Sequence, residues 1–190
     1  MKILISSSQN DNIDEKYKES AHRLTSFLAE EKNTLVWGSG CRSIMGICYE
    51  EFAKRDCEIL GFTTKKYVDE IELLPKAKHK VMEDTFDLKK ILFQEADMVV
   101  VLPGGTGTVS ELFTYLEEVR SNDVNKTLIV YDEYGHFSKV MEVIEDLIVR
   151  RFNSNSIYDY LHIAHNLDEF KTMYDKCSSE QQKKKLGLES

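Results

Sequence analysis

The sequence predicts an α/β protein with a Rossmann-like, doubly wound, mostly parallel sheet in a single domain. Three observations carry that expectation. Short β-type runs alternate with longer segments of helical apolar spacing along most of the chain. One run, Met98–Leu102, is apolar without interruption, as suits a strand buried on both faces of a parallel sheet. Turns rich in glycine, serine and threonine follow three of the strands, at the edge where open α/β sheets bind ligands.

The elements follow in order. Lys2–Ser7 reads as a strand ending in three serines, and Ile13–Glu31 as a helix with Tyr17, Ala21, Leu24, Phe27 and Leu28 at helical spacing. "TLVWGSG" from Thr34 is a second strand running into glycines, Ile44–Arg55 a helix, and "CEILGFT" from Cys57 a third strand. After a polar connection through Pro75 come a weak short strand, His79–Met82, and a helix, Phe86–Glu95. Strand Asp97–Leu102 leads into helix Thr106–Arg120, strand Thr127–Asp132 into helix Phe137–Arg150, and strand Leu161–His165 into helix Leu167–Tyr174. Residues 1–176 form the expected domain, and 177–190 the expected polar, disordered tail.

With 190 residues and 42% hydrophobic content the chain can fill one core, and no linker divides it. No apolar run is long enough for a bilayer, and "MKILISSS" lacks the apolar length and cleavage site of a signal peptide. A cytoplasmic protein without a membrane partner is expected. The four cysteines show no metal spacing and read as free thiols. A net charge of −8 disfavours nucleic acid but leaves room for a small anionic ligand. His22, His79, His136, His162 and His165 fall outside the three loops and suggest core or surface roles.

The loops "SSSQN", "GSGCRSIMG" and "PGGTGT" should converge at the carboxyl ends of their strands. Glycine admits positive φ and lets a ligand approach without meeting a Cβ, and free amides at a helix start favour an anion. Gly104, Gly105 and Gly107 with Thr106 and Thr108 make a phosphate cradle by this logic, although such turns also join strand to helix with no ligand at all. Glu111, a few residues into the helix, reaches back over that ligand. Its carboxylate suits chemistry in which positive charge develops on a sugar, as in N-glycosidic cleavage, where it also orients or deprotonates water. Simple complementarity to the helix dipole, worth ~0.3–1 kcal/mol, is the other account.

"PGGTGTVSE", Pro103 to Glu111, resembles the PGGxGTxxE signature of the lonely-guy family, phosphoribohydrolases once labelled lysine decarboxylases. "WGSGCRSIMG", Trp37 to Gly46, is similar to the upstream glycine motif of that family. The resemblance implies hydrolysis of a nucleoside 5′-monophosphate, AMP-like or a cytokinin ribotide, to free base and ribose 5-phosphate. It implies no metal and no organic cofactor, and a homodimer or higher even oligomer. By motif position Gly104, Gly105, Thr106, Gly107 and Thr108 would hold phosphate, with Ser7, Gly38, Gly40 and Met45 beside them, and Glu111 would be catalytic. The helix of Tyr115 and Arg120 would contribute to a dimer interface.

The chain departs from the family in three places. Leu88 stands where the family has an arginine before Lys89, and leucine offers no bidentate recognition of an anion. Leu88 would instead join an apolar stripe with Ile91 and Leu92. Lys89, Lys90 and Arg42 are the cations available to compensate, which makes Lys89 and Arg42 catalytic candidates beside Glu111. Ser39 replaces a glycine, and Trp37 replaces a tyrosine while keeping an aromatic wall. The alternative is therefore a catalytically impaired nucleotide-binding or sensing protein on the same scaffold; a related N-glycosidic enzyme with another base or acceptor is a third reading.

Overall fold

The computed structural model describes residues 1–122 and 126–185. Its elements are β1 (Lys2–Ser6), α1 (Glu15–Glu30), β2 (Thr34–Trp37), α2 (Ser43–Lys54), β3 (Ile59–Thr64), β4 (Lys78–Met82) and α3 (Thr85–Glu95). The second half continues with β5 (Met98–Val101), α4 (Thr106–Asn122), β6 (Thr127–Tyr131), α5 (Ser138–Val149), β7 (Leu161–Ala164) and α6 (Leu167–Lys185). The strands form one sheet in the order β4-β3-β2-β1-β5-β6-β7, and every neighbouring pair is parallel.

Strand periodicity builds a core on each face of this sheet. Ile3 and Ile5 of β1 point with Trp37, Met98, Val100 and Tyr131 towards α1, α2 and α6. Leu4 points the other way, with Val36, Val99, Val101 and Val130, towards α3, α4 and α5. Central strands are thus buried on both sides, which is why their sequences run apolar without alternation. On α4 the inward stripe is Leu112, Tyr115, Leu116 and Val119, at helical spacing.

Three local features differ from the expectation. Lys65–Leu73 and Asn155–Asp159 form 3₁₀ segments in stretches that read as polar connections. Helix α6 runs on to Lys185, so order does not stop at residue 176. Cys177 is buried and extends the stripe of Phe170 and Tyr174 by one more step, which carries the helix forward. Residues 186–190 of the expected tail lie outside the described residues.

Helices α1 and α2 are clamped by a buried carboxylate. Glu51 is 2% exposed and accepts from Arg55 Nη1 at 2.6 Å and Lys54 Nζ at 2.7 Å, with His22 Nε2 at 3.2 Å. Arg55 continues to Ser26 Oγ and Glu30 on α1. Burial alone would push the Glu51 carboxyl up, but Lys54 and Arg55 outweigh it and hold it below the usual range. A depressed folded-state value means stabilisation that is complete above the ordinary carboxylate range and lost as pH falls through it. Glu51→Ala should cost about 3 kcal/mol at neutral pH by urea denaturation, and that difference should shrink as the pH is taken below about 4.

Candidate functional site

The strand order reverses between β1 and β5, so the connections leaving these two neighbours turn to opposite sides and leave a crevice. Backbone hydrogen bonds fix its floor: Leu102 N–H donates to Ser6 O at 2.9 Å, Ser8 N–H to Pro103 O at 3.2 Å, and Met45 N–H to Ser8 O at 3.2 Å. The three glycine- and serine-rich loops are therefore one structure. They enclose a cavity of about 330 Å³ lined by Ser6–Asn10 of the first loop, Gly38 and Met45 of the second, and Gly105–Thr108 with Glu111 of the third.

The glycines do different jobs. A Cβ on Gly105 or Gly107 would meet nothing within 4 Å, so both leave open space for a ligand. A Cβ on Gly104 would fall 2.1 Å from Thr108 Oγ1, so this glycine serves the packing of Thr108, itself buried. Gly40 makes room for Met45, whose Sδ would lie 2.7 Å from an added Cβ, and does not line the cavity. Ser39 holds φ at 55°, the left-handed region that glycine occupies without strain. Val109 N–H closes the first turn of α4 on Gly105 O. Among the described residues the amides of Gly105 to Thr108 donate to no protein acceptor, as expected of a helix start. They are free to bind an anion at the positive end of the helix.

Glu111 closes the cavity on its inner side and accepts a hydrogen bond from Ser6 Oγ of β1. Burial pushes its carboxyl above the ordinary value, while the Ser6 hydroxyl and the Lys89 charge pull it partly back. One turn further, Tyr115 is fully buried and stacked on Phe93 at 5.5 Å, and its hydroxyl has no hydrogen-bond partner. The Glu111 charge and burial together raise the Tyr115 phenol. Ser7 Oγ is also buried and has only the Cys48 thiol beside it.

Other candidates lie apart from the cavity. Leu88 packs in the α3–α4 side of the core with Ile91, as its apolar stripe suggested. Lys89 Nζ donates to Ser110 Oγ at 2.6 Å and lines a separate groove between α3 and α4. Arg42 is exposed: it precedes α2 in an extended conformation that carries its side chain outward, and it does not line the cavity. Trp37 is no cavity wall, because its place in β2 buries it completely against Tyr49. Tyr115 belongs to this chain's own core rather than to an interface, and Arg120 pairs with Glu117. His136, separate in sequence from the loops, joins them in space: its Nε2 lies 2.8 Å from Gly104 O. No sequence spacing signals that contact, since 32 residues separate the pair.

Comparison with known proteins gives a family and a fold. A family described as "Possible lysine decarboxylase" matches residues 45–173. Cytokinin riboside 5′-monophosphate phosphoribohydrolase of Mycobacterium marinum is 28% identical over 137 residues, 72% of this chain and 73% of the relative. The enzyme of that name from Arabidopsis thaliana is 23% identical over 171 residues, covering 86% and 79%. Among solved structures, the Moco carrier protein of Chlamydomonas reinhardtii superposes with a TM-score of 0.69 at 13% identity, covering 94% of this chain and 98% of the other, which establishes the shared fold.

The half-buried Glu111 carboxylate should limit stability. Its raised folded-state value means the folded protein binds the proton more tightly, so ionised Glu111 costs stability above that value and nothing below the ordinary one. Glu111→Gln should stabilise the protein by about 1 kcal/mol at pH 7.5. The gain should disappear towards about pH 4, and a gain that grows on acidification would contradict the assignment.

Proposed function

This chain belongs to the family described as possible lysine decarboxylases, and from that membership we propose that it hydrolyses the N-glycosidic bond of a nucleoside 5′-monophosphate, AMP-like or a cytokinin ribotide. One observation carries the reading: free amides at the start of α4 and the half-buried Glu111 carboxylate face the same cavity. Phosphate sits at Gly105–Thr108, where the amides and the helix dipole meet its charge. The ribose then lies towards Glu111, whose ionised carboxylate stabilises the cation developing at C1′. As the C1′–N bond breaks, water attacks C1′, its proton passes to Glu111, and from there the departing base nitrogen takes it up. A carboxyl raised above its ordinary value is the better proton acceptor near neutral pH. The reaction drawn this way uses no metal and no organic cofactor. A pyridoxal-dependent decarboxylase would need a lysine in the cavity, and none of the described residues lining it is a lysine.

A second reading is binding or sensing of the same nucleotide without turnover. It is favoured by one observation: among the described residues no lysine or arginine lines the cavity. Self-association bears on this choice, because a partner subunit is a source of the missing cation. Phe113 and Phe152 are exposed around one groove between α4 and α5, which supports a homodimer or higher even oligomer. Four cysteines outside any disulfide and a net charge of −8 suit a cytoplasmic protein that does not handle nucleic acid. No described helix is long and apolar enough to cross a membrane.

Purified protein incubated with nucleoside 5′-monophosphates and the matching nucleosides should release base and ribose 5-phosphate from the phosphorylated compounds alone. Glu111→Gln should abolish release while retaining nucleotide binding, and an acid limb in kcat/KM should lie above the ordinary glutamate range. Binding without release in the wild type would select the second reading. Light scattering should give an even multiple of the 22.0 kDa chain, with Phe113→Glu shifting it towards monomer; a monomeric wild type would remove the interface.

A further inference from the structure

We infer that His136 is a positioning residue for the phosphate site, acting through the Gly104–Gly105 peptide; the inference rests on the nucleotide-binding reading above. Gly104 O accepts, so the imidazole donates from Nε2 at 2.8 Å and carries its proton there. The peptide that follows Gly104 is trans, and in a trans peptide the carbonyl and the N–H point in opposite directions. Holding Gly104 O towards His136 therefore turns Gly105 N–H the other way. Gly105 lines the cavity, and His136 does not. Glycine at 104 and 105 leaves this peptide little conformational bias of its own, so an external hold on one end sets the aim of the other.

The histidine is itself held. Asp132, 5% exposed at the end of β6, accepts from His136 N–H and Phe137 N–H, both at 2.8 Å. Phe137 anchors the loop with its ring buried at 1% exposure, and Gly135 makes the turn with φ at 71°. Tyr17 of α1 meets the imidazole edge-on at 5.7 Å. A buried carboxylate thus fixes the backbone of His136, and His136 fixes a cradle residue that no side chain of the cradle itself controls.

The test uses the full chain in the Glu111→Gln background, so that no substrate is consumed, with AMP and inorganic phosphate as calorimetric probes. His136→Ala should weaken both by roughly tenfold, the scale of one misaligned hydrogen bond to a charged group. His136→Gln, whose amide places a donor near the position of Nε2, should restore both to near the parent values. Equal affinity of the alanine variant and its parent overturns the inference, and so does a glutamine variant as weak as the alanine one. A merely structural role predicts that last result, with a lowered Tm and no rescue. A parent protein silent to both probes removes the phosphate site, and with it the reading on which this inference stands.

Discussion

The hydrogen-bonded adjacency of β1 and β5 is the constraint on which the rest of the site depends. Ile3 to Ser6 run beside Met98 to Val101 in register, yet the chain leaves β1 for β2 and leaves β5 for β6 on the opposite side. Two strands that must stay together end in connections that must part. The opening between them cannot be filled by either loop, and the bonds from Leu102 to Ser6 and from Ser8 to Pro103 keep it from widening. Every cavity-lining group hangs from this geometry, including Ser6, which is both the last residue of β1 and the partner of Glu111.

The site then works against stability in a defined way. Glu111 is kept ionisable in a half-buried place with one hydroxyl partner, the Tyr115 hydroxyl beneath it is unpartnered, and helix-start amides face open space. Each of these is an unfavourable term in the unliganded fold. The two hydrophobic cores and the Glu51 clamp lie away from the cavity and offset them. On the proposed reading, a ligand bearing phosphate on one end and a sugar on the other would meet the free amides and the carboxylate at once, and so offset the cost of leaving those amides open.

The layered fold was legible because its signals are local and repeated. Met98–Val101 could be read as a doubly buried strand, and the loop from Pro103 to Glu111 as a turn into a helix, from residue type and spacing alone; the structure opens a cavity at that turn. What could not be read depends on directions that only the assembled sheet sets. Arg42 and Met45 sit three residues apart in one motif, yet Met45, in the first turn of α2, folds over Gly40 and lines the cavity while Arg42 just before the helix is exposed. Helix α4 carries aromatic residues on two faces, and only packing decides that Tyr115 goes to the core and Phe113 to the surface. His136, in the loop after β6, reaches Gly104 in the loop after the neighbouring β5, a contact with no sequence period behind it.

Leu88 is where the chain departs from the family motif that its sequence resembles. It packs in the α3–α4 core near Leu92 and Phe93 and brings no fixed charge to the cavity. Lys89 does not supply one there either, because Ser110 holds its ammonium in the groove outside α4, where its charge still tempers Glu111. On the proposed reading, recognition of an anion falls to backbone dipoles, which are pre-oriented and carry no side-chain entropy to lose. Such a cradle depends on the aim of each amide far more than one reinforced by an arginine fork. On that reading the hold of His136 on Gly104 is more than a detail of the loop: with no lysine or arginine among the described residues lining the cavity, the direction of Gly105 N–H is what remains to be controlled.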